Sequence, residues 1–274
     1  MTLILSTHNR LMWSNGSVIH EGFGVYYGAL REGVQPLVAA ERPSSSQIQG
    51  ALPPGTAWTI SRRPNRESIV KINIGTRKVE EEHVVPTTFA HDMCRHGDTV
   101  LITDCDGGRL VVLEWPTMKF LRTIHIGTRK NHINTVASID GNIWCLLHNL
   151  GPSILVRIDP ENGSWLDVFT RVGVQSHGIV PWRDGFLVLS SGEGSLIHVG
   201  QSETRTLWTD PDRKFLKGIH LQDNIVYFGI SDVTPRSHRG SKTLNCELAA
   251  FDLVDNTLLS RTRIETCGLL NTIN

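Results

Sequence analysis

Apolar residues in this chain fall in short bounded runs and do not follow helical spacing. "FLVL" (186–189), "LVVL" (110–113), "NIWCLL" (142–147) and "NIVYFGI" (224–230) are rich in β-branched or aromatic residues and end at Gly, Asp, Asn or Pro. A buried or half-buried strand needs that kind of run, whereas the i, i+3, i+4 recurrence of a helix face is scarce. The pattern predicts an all-β protein.

The runs also repeat. "HGIVPWRDGFLVLSSGEGSLIHV" (177–199), "HDMCRHGDTVLITDCDGGRLVVL" (91–113) and "HINTVASIDGNIWCLLHNLGPSILVRI" (132–158) share one order. Each has a leading His, a short strand, a Gly/Asp/Asn turn, a stronger strand, a polar turn and a third strand. Fourth strands follow as "KFLRTIHI", "SWLDVFT" and "TRTLWT". "KGIHLQDNIVYFGISD" (217–232) continues the series with Lys217 in the His place, and "QGALPPGTAWTISRRPNRESIVKI" (49–72) fits with Gln49 there. Four-strand units about 40–45 residues apart mark a β-propeller.

A last unit is expected to be split between the termini. "CGLLNTIN" (267–274), headed by Cys267, supplies its inner strand and "TLILSTHN" (2–9) the next one, with residues 10–42, including "FGVYYGAL", holding the rest. The expectation is one domain spanning 1–274, a six-bladed β-propeller of four-stranded blades closed by pairing of N- and C-terminal strands. Five blades plus an N-terminal extension is the alternative.

"HGIVPWRDGFLVLSSGEGSLIHV" resembles the repeats of NHL-type and gluconolactonase-like six-bladed propellers, which often begin His-Gly-Ile and carry an Asp-Gly turn before the second strand. The resemblance implies that fold, and a fold of this kind serves enzymes, receptors and scaffolds alike.

Charge and cysteine usage narrow the setting. With 27 basic and 27 acidic residues the formal net charge is zero, which provides no field for collecting nucleic acid or an anionic membrane. Five cysteines without a CxxC spacing argue against a disulfide framework and a thiolate zinc knuckle, and point to a reducing, cytoplasmic setting. The opening "MTLILSTHNRLMW" has an apolar run too short for a signal-peptide core. No GxSxG elbow, HExxH helix or EF-hand loop is present. "SSGEGS" and "DCDGGR" lack the following helix that a phosphate loop requires.

In a propeller the strand heads converge on one mouth of the central channel, here Gln49, His91, His132, His177, Lys217 and Cys267. Three neutral imidazoles from consecutive blades offer lone pairs to one divalent transition metal, Zn²⁺ or Fe²⁺, with a position left for water or substrate. His8 is a further ligand candidate. The plainer alternative is that each His hydrogen-bonds a neighbouring carbonyl. Peptide-amidating lyases, which resemble the NHL type, hold zinc with three histidines at the axis, and that resemblance implies the same role for His91, His132 and His177.

Second strands run back to the same mouth and end at His8-Asn9, Arg62-Arg63, Asp104, His148-Asn149, Ser191 with Glu193, and Asp232. Arg62 or Arg63 would hold a substrate carboxylate bidentately. His148 would carry protons and Tyr26, or its neighbour Tyr27, would supply a phenol. Gln49, Asn149, Asp104 and Asp232 are candidates for binding substrate, against the alternative that they are ordinary turn residues. Lys217 either salt-bridges Asp232 or Asp104 or, with a lowered pKa, acts as a base or imine former. Segments 42–55 and 231–245 are expected as loops over the mouth.

Two functions follow. One is a metal-dependent enzyme, lyase, hydrolase or iron-dependent oxidase, acting on a small or peptide-like carboxylate-bearing molecule. The other is a noncatalytic propeller binding a protein partner through its top face, which a surface cluster of Trp115 and Trp182 would favour.

Overall fold

In the computed structural model the described residues are 3–32, 55–235, 238–239, 241, 243–265 and 267–274. The strands run in chain order. They are β1 (Ile4–Thr7), β2 (Arg10–Trp13) and β3 (Val18–Glu21), then β4 (Val25–Glu32), β5 (Thr56–Arg63), β6 (Arg66–Asn73) and β7 (Lys78–Val84). Next come β8 (Ala90–His96), β9 (Thr99–Asp104), β10 (Arg109–Glu114), β11 (Phe120–His125), and β12 (Ile133–Ile139), β13 (Asn142–Leu147), β14 (Ile154–Ile158), β15 (Trp165–Phe169). The last are β16 (His177–Trp182), β17 (Gly185–Ser190), β18 (Ser195–Val199), β19 (Thr204–Thr209), β20 (Phe215–Gln222), β21 (Ile225–Ser231), β22 (Cys246–Asp252), β23 (Thr257–Ile264) and β24 (Leu270–Ile273).

They form six antiparallel sheets of four strands, and the inner strands β24, β4, β8, β12, β16 and β20 contact one another in a closed ring. The fold is a six-bladed β-propeller. Ring closure is made where β24 pairs with β1, Leu5 opposite Ile273 and Ser6 opposite Thr272, with Ile4 and Asn274 exchanging backbone hydrogen bonds. Closure leaves no inner-ring edge open to pair with another chain. The apolar side chains sort into six clusters, each drawn from two neighbouring blades. Burial between blades therefore holds the ring together.

One blade differs from the sequence reading. "FGVYYGAL" does not complete the terminal blade: it is the inner strand β4 of the next blade, and "TAWTISRR" and "RESIVKIN" are its second and third strands. Gln49, expected to head that blade, lies outside the described residues. Residues 33–54 join β4 to β5, and Glu32 pairs with Thr56 at the end of the hairpin remote from the Val25–Arg62 pair. The segment 42–54 expected over the mouth likewise lies outside the described residues.

Each inner strand carries an irregularity at the same height. Gly28, Gly178 and Gly218 have φ of 65°, 69° and 74°, the left-handed region that favours glycine, and the ladder slips beside each. A Cβ on Gly178 would come within 2.6 Å of Ile219 Cγ2, so the bulge also lets adjacent blades close up. Side chains stitch blades at this level. Gly28 N donates to Thr272 Oγ1 (2.9 Å), Val136 N to Asp92 Oδ2 (3.2 Å) and Gly178 N to Thr135 Oγ1 (3.0 Å).

Candidate functional site

The bulges define the true register of the ring. Asn134 Nδ2 donates to Ser176 O and Asn271 Nδ2 to Tyr26 O, each at 2.9 Å, so both amides reach the residue just before the head of the next blade. The equivalent heads are therefore Tyr27, His91, Asn134, His177, Lys217 and Asn271. His132 sits ahead of its strand, at φ 49°, closing the short 3₁₀ turn of residues 129–131. Cys267 precedes β24 and is buried beside Cys246, Sγ to Sγ 3.0 Å.

His132 nevertheless reaches the mouth, because the left-handed turn swings it inward. The rings form a continuous edge-to-face chain. Tyr27 to His91 is 5.2 Å between centroids, His91 to His132 5.2 Å, His132 to His148 5.0 Å, His148 to His177 5.2 Å and His177 to Phe215 5.1 Å. His8 meets Tyr27 at 6.5 Å. Together with Arg62, Phe89, Gln175 and Arg239 these groups wall a cavity of about 400 Å³. No carboxylate lines it among the described residues.

Hydrogen bonds assign the protons. His177 Nδ1 donates to Gln175 O (3.0 Å) and Ser191 Oγ (2.8 Å), and His8 Nδ1 donates to Leu269 O (3.2 Å). A carbonyl only accepts, so both rings keep an Nε2 lone pair. His148 is the reverse: Leu150 N–H donates to its Nδ1 at 3.1 Å, which leaves the proton on Nε2. His91 Nδ1 is buried without a partner. Burial, reinforced by Lys217, holds His91 and His177 well below the usual imidazole range and brings His8 down to about 3. These three rings are neutral at physiological pH.

Arg62 is fixed in the wall. Its Nη1 donates to Ala90 O (3.2 Å) and its Nη2 to Tyr27 Oη (2.8 Å), with the guanidinium 4.0 Å from the Phe89 ring centre and 4.8 Å from that of Tyr27. Arg239 enters from the 231–245 segment, on the mouth side as expected, and lies 5.6 Å from the Phe215 ring centre.

The other candidates are placed elsewhere. Arg63 pairs with Glu82 and packs on Phe23, 4.6 Å from the ring centre. Tyr26 points to the opposite side of β4, where its Oη bonds Phe23 N (3.0 Å) and His20 Nδ1 (2.9 Å); Tyr27 is the phenol at the mouth. Asn149 accepts from Asn131 Nδ2 of the 3₁₀ turn and donates to Pro152 O within its own turn. Asp104 is wholly buried and held by Thr88 and Arg109, and Asp232 pairs with Lys214 on the surface at 3.1 Å. Phe89, Phe215 and Arg239 were missed; only Arg239 carried a signal, as the cation in a long polar insertion on the correct face.

Below the mouth, and sharing His91 and His177 with it, a second cavity of about 280 Å³ follows the axis. Lys217 and Asp92 line it. Burial pushes the Asp92 carboxyl up to about 7, although the N–H groups of Val136 and Met93 donate to it. Burial, then Arg62 and Arg239, bring the Lys217 amine down to about 7.

The sequence-derived trio of histidines is not gathered around one point. His91, His132 and Cys105 are: their ligand atoms lie within 4.8 Å of one another, and His177 is not among them. Cys105 is a thiol here, donating to Ile133 O at 2.7 Å, and burial raises its pKa well above the usual value.

No family model matches the sequence, and no curated protein does. Solved structures share the fold. A chain of a nidogen/laminin complex superposes with a TM-score of 0.69 at 10% identity, over 99% of this chain and 97% of that one. A luciferin-regenerating enzyme gives 0.57 at 11% identity, over 76% and 72%, and a member of the DUF4221 family from Bacteroides vulgatus 0.53 at 11%, over 77% and 79%. At such identities the likeness is one of architecture.

Proposed function

We propose that the mouth binds a small carboxylate-bearing organic molecule and acts on it by proton transfer, as an enzyme of the lyase or hydrolase type. The observation that carries this reading is the wall itself: two guanidinium groups, five histidines and aromatic faces, with no carboxylate among the described residues. Arg62 has more N–H donors than its two fixing bonds use, so it orients an anion without being free to swing. Neutral His177 and His8 present unprotonated Nε2 lone pairs to whatever the arginines hold. A luciferin-regenerating enzyme of the same architecture lends precedent for catalysis on such a scaffold.

Calorimetry with succinate tests the binding step. Saturable binding is expected, weakened at least about tenfold in Arg62→Met, the loss expected when a charge-assisted bond is removed from a dry site. Failure of any carboxylate to bind, or indifference to Arg62→Met, would overturn the reading.

One observation favours a second, metal-assisted version: the closeness of His91, His132 and Cys105. The donor set, two imidazoles and a thiol, together with the orphaned Nδ1 of His91, fits Zn²⁺ or Fe²⁺. A bound ion would polarise a substrate oxygen or activate water. Arg62 and Lys217 act against it, since their charges already depress His91. Near-stoichiometric metal in purified protein, lost in His132→Ala with the fold retained, is what this version expects.

A protein-docking role has weaker support. Trp115 and Trp182 belong to different blade seams and each is covered by an arginine, Arg95 at 4.9 Å and Arg183 at 4.1 Å from the ring centre.

A further inference from the structure

Lys217 has no part in anion binding by the arginines, yet it occupies the most enclosed position of any amine near the mouth. It is 5% exposed, in the wall of the axial cavity that meets the mouth at His91 and His177. Its Nζ donates to Asn271 Oδ1 at 3.2 Å and lies 4.9 Å from the centre of the Tyr27 ring. The two acids that the sequence offered as counter-charges are taken, Asp104 by Arg109 and Asp232 by Lys214. Among the described residues no carboxylate forms an ion pair with it, and Asp92, in the wall of the same cavity, favours its charge but is outweighed by burial, Arg62 and Arg239. Burying an amine without an ion pair is costly, and a methionine would fill the space without that cost.

The Tyr27 ring relates this amine to the anion clamp. Arg62 stands 4.8 Å from its centre and Lys217 4.9 Å, which puts the guanidinium and the amine no more than about 10 Å apart, a span that an oxo acid with its carboxylate on Arg62 would have to bridge to reach Nζ. We propose that Lys217 forms an imine with an oxo acid held in the mouth, making 2-oxo acids or their near homologues the substrate class. This deepens, and rests on, the anion-binding reading.

The step balances without a redox partner. The amine lone pair attacks the carbonyl carbon, and the C–N bond forms as the C=O π pair moves to oxygen. One nitrogen proton passes to that oxygen by way of an Nε2 lone pair of His177 or His8, which relays it and does not retain it, giving the carbinolamine. The second nitrogen proton follows to the hydroxyl, which leaves as water as C=N forms: amine plus carbonyl gives imine plus water. With its pKa brought to about 7, a large share of the amine is neutral at physiological pH.

Reduction traps the adduct. The protein is incubated with pyruvate and sodium cyanoborohydride, and in parallel with propanal, which has the carbonyl but no carboxylate. The product is a secondary amine that adds the mass of the oxo acid less one oxygen, located by peptide mapping. Expected is one adduct at Lys217, absent from Lys217→Arg and Lys217→Met, both checked for folding by thermal melting. Arg62→Met is expected to slow labelling by pyruvate about tenfold more than labelling by propanal, which slows only by the share of the amine that becomes protonated once the Arg62 charge no longer depresses it. Succinate binding separates the two ideas. If succinate binds and Lys217 stays unlabelled, the imine falls and the anion site stands. If succinate does not bind and pyruvate labels no faster than propanal, the oxo-acid assignment falls with the anion site. Adducts spread over surface lysines, unchanged in Lys217→Met, also overturn the proposal.

Discussion

Two buried polar regions meet the blade of β8 to β11, the corner at Asp104 and the axial layer that His91 shares with Asn134 and Lys217 of other blades, and they are built on opposite principles. Asp104, at the end of β9, accepts from Thr88 N (3.0 Å), Thr88 Oγ1 (2.8 Å), Phe89 N and Gly107 N (both 3.3 Å) and Arg109 Nε (2.9 Å). Its charge is fully answered. In the axial layer, His91 Nδ1 and Asn134 Oδ1 are buried without partners, and Lys217 has an amide where a carboxylate would serve better. Interior polar groups are normally satisfied, so an under-satisfied layer around a cavity is best understood as completed by something that enters it. The contrast separates polar groups whose bonds hold the blade from those whose bonding capacity is left over.

The largest effect should come from the satisfied region. Asp104→Ala strands Arg109 and several N–H groups, and a loss of roughly 3–5 kcal/mol in unfolding free energy is expected by denaturant titration. Succinate affinity of the folded fraction should not change. Burial raises the Asp104 pKa, but the bonds from Thr88 and Arg109 outweigh it and hold the carboxyl below its usual 3.8. Its contribution is thus complete above the unfolded pKa and lost as pH falls through the lower folded value. The wild-type advantage over Asp104→Ala should shrink only in that acid range.

Lys217→Met should change stability in the other direction. The amine falls from 10.5 to about 7 on folding, so between those values the unfolded chain binds more protons and stability must rise with pH. Each unit is worth about 1.4 kcal/mol, which makes the burden several kcal/mol at neutral pH and nil above the unfolded pKa. Lys217→Met is therefore expected to melt higher than wild type at pH 7, with the gap closing as pH approaches 10.5. A variant that melts lower at every pH would place Lys217 with Asp104 as a structural group and erase the contrast.

Much of the ring was legible because its punctuation is local. His177-Gly178 and Lys217-Gly218 each set a large head residue before a glycine at a left-handed bulge, and Tyr27-Gly28 follows the same rule. That third pair was assigned to the wrong blade because residues 33–54 part β4 from β5 and break the spacing of the repeat. His132 is a subtler case. Alignment on the letter His put it level with His91 and His177, whereas alignment on the bulge puts Asn134 there, and only the 3₁₀ turn returns His132 to the mouth. Asp104 and Asp232 showed themselves as polar strand ends, but which carboxylate is spent on a neighbouring Arg or Lys depends on contacts between turns. The nearness of Cys105 to His91 and His132 likewise spans two blades and leaves no trace in spacing.

The mildest test disturbs nothing and asks whether the mouth histidines differ as their bonds require. His177 and His8 give their Nδ1 protons to carbonyls, while His148 accepts at Nδ1 from Leu150. Nitrogen shifts of the labelled imidazoles should therefore show Nε2 unprotonated in His177 and His8 and Nδ1 unprotonated in His148. The shifts of His8 should stay flat from pH 8 to about pH 5, and His177 should titrate well below the ordinary imidazole range, since burial and then the Lys217 charge depress both. In Lys217→Met the second-largest cause is removed from each, so their midpoints should rise, yet remain below the ordinary imidazole value because burial is the larger cause. If His177 carries its proton on Nε2, the lone pair proposed to relay the Lys217 proton is not there. The axial layer would then be as fully committed as the Asp104 corner.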